Sequence, residues 1–174
     1  MTRARAMGWR VGYLVAAAAL FMADQASKAW AVRMLRFERD VTLIPRLLDL
    51  TYTENTGIAF GQLQSGGNFA RWMLIGLACA ASITVLVYLF RTERTDDRVL
   101  GACALLLAGI TGNLADRIRL GRVVDFILLH AGDYHWPTFN IADAAICTGA
   151  ILLALDLFME GRRARQKAVR QQSA

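Results

Sequence analysis

The sequence predicts an all-α integral membrane protein, with four transmembrane helices and a small outer-face β-sheet element. Three observations predict it. First, 56% of the 174 residues are hydrophobic and the mean hydropathy is +0.36, above the roughly 45–50% apolar share of soluble domains. Second, 20% of the residues are nevertheless charged, 20 basic and 14 acidic. Third, those charges are segregated. Spans drawn at about 11–30, 70–90, 99–116 and 139–159 have apolar cores whose only charges are Asp24, Lys28, Asp143 and Asp156. A bilayer crossing takes about 20 mainly apolar residues, so each window is long enough. The whole chain, 1–174, reads as a single membrane-embedded domain.

The first span opens after Arg3, Arg5 and Arg10. On the first 30 residues alone, a cleavable secretory signal competes on even terms. It has the same basic start, an apolar run from Val11 to Met22, and small residues at Ala26, Ser27 and Ala29.

The first connection, about 31–69, is placed outside the membrane and balances Arg33, Arg36, Arg39 and Arg46 against Glu38, Asp40, Asp49 and Glu54. Leu48, Leu50 and Tyr52 alternate with Asp49, Thr51 and Thr53, the period-2 signature of a half-exposed strand. Asn55-Thr56-Gly57 supplies turn chemistry, Ile58-Ala59-Phe60 resumes an apolar run, and Gly66-Gly67 forms a flexible junction.

The second and third spans are uncharged over 72–90 and 99–115 and are joined by a hinge with Arg91, Arg94 and Arg98. The second outer connection, about 117–138, carries Arg117, Arg119 and Arg122, with Asp125 in a loop among Val123, Val124, Phe126 and Ile127. After the fourth span comes a basic tail, 160–174, with Arg162, Arg163, Arg165, Lys167 and Arg170. Basic residues favour the inner side, so both termini and the 91–98 hinge are expected in the cytoplasm. Trp30, Trp72 and Trp136 then mark the outer interface. The net charge of +6 is explained by membrane topology. Without a basic stripe or aromatic platforms, no nucleic-acid partner is expected.

Polar residues gather at the outer ends of the spans. Asp24 and Lys28, four apart, suit an ion pair on one helical face, and a satisfied structural pair is the plainer reading. Asn113, Asp116 and Arg117 form either a helix-end network or a substrate-binding group. Asn140 and Asp143, three apart, share a face. Asp156, near the inner interface beside Glu160, reads as structural. Asp125 and Asp143 are harder to dismiss, since both fall at shallow depth in apolar surroundings. An acid at mid-span costs about 2.5–3.5 kcal/mol even on lenient scales.

Paired carboxyls suit hydrolysis. At an effective dielectric near 20, two charges about 4 Å apart repel by roughly 4 kcal/mol, or about 3 pKa units. Such a pair shares one proton. The ionised member takes a proton from water while the protonated member hydrogen-bonds the carbonyl under attack.

Other chemistries fit less well. His130 and His135, five apart in a loop, fall short of a zinc site. Neither Ser65 nor Ser82 sits in a nucleophile elbow. Cys79, Cys103 and Cys147 lie within spans as small buried side chains. Gly66-Gly67 is no phosphate loop.

Five blocks then occur in order: Asp24-Gln25-Ala26-Ser27-Lys28, Asn55-Thr56-Gly57-Ile58-Ala59-Phe60, Gly109-Ile110-Thr111-Gly112-Asn113-Leu114-Ala115-Asp116-Arg117, Val123-Val124-Asp125-Phe126-Ile127 and Phe139-Asn140-Ile141-Ala142-Asp143. Together they resemble the lipoprotein signal peptidases (signal peptidase II) of bacteria, over about residues 11–160. Ala108 departs from the pattern, standing where many members have a second glycine. The resemblance implies an aspartic endopeptidase of the inner membrane whose site faces the outer side. It implies lipid-modified prolipoproteins as substrates, cut just before the diacylglyceryl-modified cysteine, membrane lipid as a partner, and neither cofactor nor metal. By matching motif, Asp125 and Asp143 become the catalytic pair, Asn55, Gly57, Asn113, Arg117 and Asn140 line or brace the substrate site, and Asp24, Lys28 and Asp116 support it. A small ion or proton transporter, or a membrane scaffold using the same acids, is the alternative. Against it, the acids cluster at one face and no inverted repeat is evident.

Overall fold

A computed structural model of the chain describes residues 3–37, 40–57, 67–92, 96–132 and 134–172. Its elements, in order, are α1 (Arg3–Met34), β1 (Val41–Ile44), β2 (Leu48–Asn55), α2 (Gly67–Arg91), α3 (Asp97–Leu120), β3 (Val123–Ala131), β4 (Tyr134–His135) and α4 (Ile141–Gln172). The Ile58-Ala59-Phe60 run, Ser65 and Gly66 lie outside the described residues, while Gly67 opens α2.

Among the described residues, three helical stretches are long and apolar enough to cross a membrane: Asn68–Arg91, Asp97–Leu120 and Ile141–Arg162. The expected four-span pattern is thus met clearly by three. The remaining helix, α1, has 32 residues, but Arg10, Asp24 and Lys28 interrupt its apolar run. The outward surfaces of α2 and α4 expose Ile83, Val87, Ile151, Leu155 and Phe158. Rows of apolar side chains facing outward suit lipid as the solvent.

Around α3 the bundle is tightly packed. Its buried Val99, Leu100, Cys103, Ala104 and Leu107 meet Ala17 of α1 and Leu89 of α2. Glycines let α4 approach α3 closely. A Cβ on Gly109 would stand 2.4 Å from the Ala142 carbonyl oxygen, and one on Gly149 2.9 Å from that of Ala102. Small residues of this kind allow backbone contact between membrane helices. At the far end, Gly121 closes α3 in the left-handed conformation (φ 75°) and donates its N–H to Arg117. From α2, Arg71 donates to the carbonyls of Arg117 and Ile118, each at 3.0 Å.

A four-stranded sheet of order β1-β2-β3-β4 caps the end where α1 and α3 finish and α2 and α4 begin. Leu50 and Tyr52 pack with Val124 and Phe126 against Ala31 of α1 and Leu35 just beyond its end, so the expected strand over 48–53 is present as part of β2. Its alternation is not continuous, however. Leu50 pairs with Ile127, whereas Thr53 pairs with Asp125 and Asn55 with Val123. β2 therefore carries one extra residue between Leu50 and Thr53, and this bulge switches which side chains share a face.

Two further expectations are corrected. Asp125 does not lie in a loop. It belongs to β3, because backbone pairing to β2 on one side and to Phe139 on the other draws 123–131 into the sheet. His130 and His135 are likewise strand residues, paired across β3 and β4 with their rings stacked 5.4 Å apart. The basic tail after 159 continues α4 as helix to Gln172, with no proline from 160 to 172 to end it.

Candidate active site

The site is assembled where four elements end close together, and each end is held for a local reason. Asn140 immediately precedes α4 and forms a reciprocal capping box with Asp143. Its Oδ1 accepts from the Asp143 N–H at 2.9 Å, and Asp143 Oδ2 accepts from the Asn140 N–H at 3.3 Å. Both satisfy backbone donors that a helix start leaves open. A third cap comes from α1, where Asp24 Oδ1 accepts from the Ala142 N–H at 2.9 Å. The segment before α4 is tied to β3 by Phe139, which accepts from the N–H groups of Phe126 and Ile127 and donates to Ile127. This lashing sets Asn140 beside Asp125.

Asn140 is the link between the two acids. Its Nδ2 donates to Asp125 Oδ1 at 2.7 Å, with Val124 O and Asn113 Oδ1 each at 3.3 Å. Asp125 Oδ2 accepts from Asn55 Nδ2 at 3.1 Å. The bulge in β2 makes that contact, since strict alternation would turn Asn55 to the other face. Asp143 Oδ1 accepts from Asn113 Nδ2 at 2.7 Å. Each acid thus receives two hydrogen bonds from backbone or amide donors. Asp125 is only 1% exposed. Burial pushes its carboxyl up to about 6, with the Asp143 charge adding to the rise. The amides of Asn55 and Asn140 and the charge of Lys28 act against it.

Behind the pair lies a second, fully buried group. Lys28 Nζ stands 2.9 Å from Asp24, 3.0 Å from Asp116 and 2.9 Å from Asn113 Oδ1. Asp116 also stands 3.4 Å from the Val124 N–H. Arg117 donates to the Gly57 carbonyl at 3.0 Å, while the Gly57 N–H donates to Asn55 at 3.0 Å. All ten residues expected from sequence are therefore joined in one network, and Asp24–Lys28 is an ion pair as read.

Sequence reasoning missed the role of Gln25. Its Nε2 stands 3.2 Å from Asp24, Asp116 and the Gly112 carbonyl, and Arg119 donates to its Oε1. Its place between Asp24 and Lys28 was the available signal. Cys147 differs from the expected buried cysteine. It is exposed and lines the same cavity as Asp143, one helical turn away. Asp156 is buried, at 6% exposure. Among the described residues, no three His, Cys, Asp or Glu side chains are grouped to hold a metal ion.

Asp125, Asp143, Asn55, Gly57, Asn113 and Arg117 face a cavity of about 910 Å3. Its polar end lies under the sheet. Its apolar walls are Leu74, Leu77, Ala78 and Ala81 of α2, Ile110 of α3 and Ile146 of α4. Such a site can hold an extended polar chain at one end and hydrocarbon at the other.

Fold and site together define a helical membrane protein with two buried acids at one end of its bundle, opening on a long amphipathic cavity. Comparison with known proteins narrows this. The family profile described as Signal peptidase (SPase) II matches residues 16–159. A lipoprotein signal peptidase of Pseudomonas fluorescens is 43% identical over 150 residues, covering 86% of this chain and 88% of the relative. Another, of Cellvibrio japonicus, is 39% identical over 147 residues, covering 84% and 86%. Two solved structures described as bacterial membrane enzymes superpose with TM-scores of 0.76 and 0.73 at 28% and 26% identity. They cover 86% and 84% of this chain and 89% and 92% of their own. The chain belongs to the signal peptidase II family. It is a membrane protease.

Proposed function

We propose that the protein is an aspartic endopeptidase that removes signal peptides from prolipoproteins, cutting before the diacylglyceryl-modified cysteine. The observation that carries this reading is that Asp125 and Asp143 share one cavity and one bridging amide, Asn140. One carboxylate draws a proton from water, and the water oxygen attacks the scissile carbonyl. The other carboxyl, still protonated, donates to the carbonyl oxygen as negative charge develops there. The first then returns its proton to the leaving amine. Asn55, Asn113 and Asn140 hold the acids. Arg117 and Gly57 fix the start of the segment that follows β2, and Asp24, Lys28 and Asp116 brace them from behind.

The apolar walls formed by α2 and α4 suit acyl chains on the substrate, so membrane lipid and the lipid-modified precursor enter by the same route. In this reading α1 is the fourth span, its Asp24 and Lys28 neutralised within the bundle. The whole chain forms one domain in the inner membrane. Both termini are cytoplasmic, and the sheet and the acids face outward, where the cut site of an exported precursor lies. Nucleic acid has no part. The transporter alternative has no support from the relatives, and the acids converge at one end of the bundle instead of lining a path through it.

The test is cleavage of a diacylglyceryl-modified precursor by purified protein, with the unmodified precursor as control. The modified form is cut and the unmodified form is not. Asp125→Asn and Asp143→Asn each abolish cleavage while the protein still folds. Equal cutting of both precursors would overturn the specificity, and full activity in either variant would overturn the pair.

A further inference from the structure

The ammonium of Lys28 is spent entirely on protein partners. Its side chain is 4% exposed, and its three N–H donors meet the three acceptors Asp24 Oδ2, Asp116 Oδ2 and Asn113 Oδ1. The third contact fixes the orientation of an amide. With Oδ1 of Asn113 on the ammonium, its Nδ2 must face Asp143, and it does so at 2.7 Å. A flipped amide would set two donors against each other at Lys28. The charge of Lys28 acts directly on both Asp125 and Asp143, so what links Lys28 to Asp143 in particular is the polarised Asn113 amide between them.

We propose that Lys28 is a positioning residue that acts through Asn113 to hold Asp143 as the ionised member of the acid pair, leaving the proton on Asp125. The proposal rests on the acid-pair reading above. Asp143 lies in the first turn of α4, where the helix dipole favours a negative charge. The groups that act on it are Lys28 from α1, whose ion-pair partners are Asp24 and Asp116, Asn113 and Arg117 from α3, and Asp125 from β3, and it shares its cavity with Glu54 and Asn55 of β2. Asp125, by contrast, lies in a strand with no helix terminus behind it. Its donors are two neutral amides, neither held by a cation through the same atoms. Asymmetry between the acids therefore enters both from the start of α4 and from α1, through one lysine and the amide it orients.

The test is the pH dependence of kcat/KM for cleavage of a diacylglyceryl-modified precursor by the full chain. Lys28→Arg keeps the charge and keeps the wild-type acid limb. Lys28→Met moves the acid limb up by about one pH unit, an about tenfold loss at low pH, and moves the alkaline limb less. Because Lys28→Met strands two buried carboxylates, Asn113→Ala is the second probe. It cuts the connection while sparing the Lys28 ion pairs, and it shifts the acid limb in the same direction. An unmoved acid limb in folded Lys28→Met, or in Asn113→Ala where Lys28→Met does not fold, overturns the proposal. Asp125→Asn and Asp143→Asn run beside them. If those two are inactive while the limb stays put, the acid-pair reading stands and only the role of Lys28 falls.

Discussion

Asn140 donates to Asp125 at 2.7 Å with one atom of its amide and caps the Asp143 N–H with the other, so a single side chain fixes the relative placement of the two acids. Asn140→Ala loses both bonds. The lost cap costs about 1 kcal/mol of stability, and the lost bridge lets the acids drift, lowering kcat about a hundredfold. Asn140→Ser separates the two roles. Serine is also a good cap but is too short to reach Asp125, so thermal stability is largely kept while kcat still falls. Equal kcat in serine variant and wild type, measured on the lipid-modified precursor, would show that the bridge is idle.

The raised pKa of Asp125 makes a stability prediction of definite sign. The folded chain holds this proton up to about pH 6, whereas an unfolded aspartate releases it near pH 4. Folding is therefore favoured most below about pH 4, and that advantage is lost as pH rises through 6. Two pKa units correspond to about 3 kcal/mol. Asp125→Asn has no proton to lose, so its stability relative to wild type improves between pH 4 and pH 7. Thermal unfolding of both proteins in detergent at the two pH values measures the difference. A gap independent of pH would contradict a buried, proton-holding Asp125.

Much of this site was legible in the sequence because its residues lie in short blocks whose spacing matches a helical face. Asp24 and Lys28 meet as their four-residue separation requires, and Asn140 and Asp143 make the capping box that a spacing of three allows. What was not legible depended on long-range pairing. Nothing around Asp125 separates a strand from an apolar loop until β2 and Phe139 close on it from either side. Nor does the alternation of Leu48, Leu50 and Tyr52 announce the bulge that turns Asn55 toward Asp125. Gln25 was overlooked because, apart from its neighbour Asp24, its partners Gly112, Asp116 and Arg119 are on another helix.

The proposed acid pair also predicts a rate profile. If the two carboxyls share one proton, activity falls in acid, where both are protonated, and in alkali, where neither can donate. Asp125 places the alkaline limb of kcat/KM, which reports free enzyme, near pH 6. Bound substrate excludes water from the cavity and deepens the burial of Asp125, so the corresponding limb of kcat lies at higher pH. The ordering of the two limbs is the observable. A kcat limb at or below that of kcat/KM would mean that substrate does not further desolvate this acid.

Placement of Asp143 against Asn113 depends on how closely α4 can approach α3, and Gly109 sets that distance. An added Cβ there would stand 2.4 Å from the Ala142 carbonyl oxygen, 2.6 Å from Ile146 Cγ1 and 3.1 Å from the Ile146 nitrogen. Two of these three atoms are backbone, so α4 itself must move. Gly109→Ala is expected to cost about 1–3 kcal/mol and to lengthen the 2.7 Å contact between Asn113 and Asp143. Its loss of kcat then exceeds what the unfolded fraction explains. Gly76→Ala is the control. No atom lies within 4 Å of a Cβ at that position, and alanine favours helix over glycine by up to about 1 kcal/mol, so stability holds or rises and kcat is unchanged. Melting temperature and kcat measured on the same preparations separate a packing defect from a displaced acid, because only the displaced acid lowers the rate of molecules that remain folded.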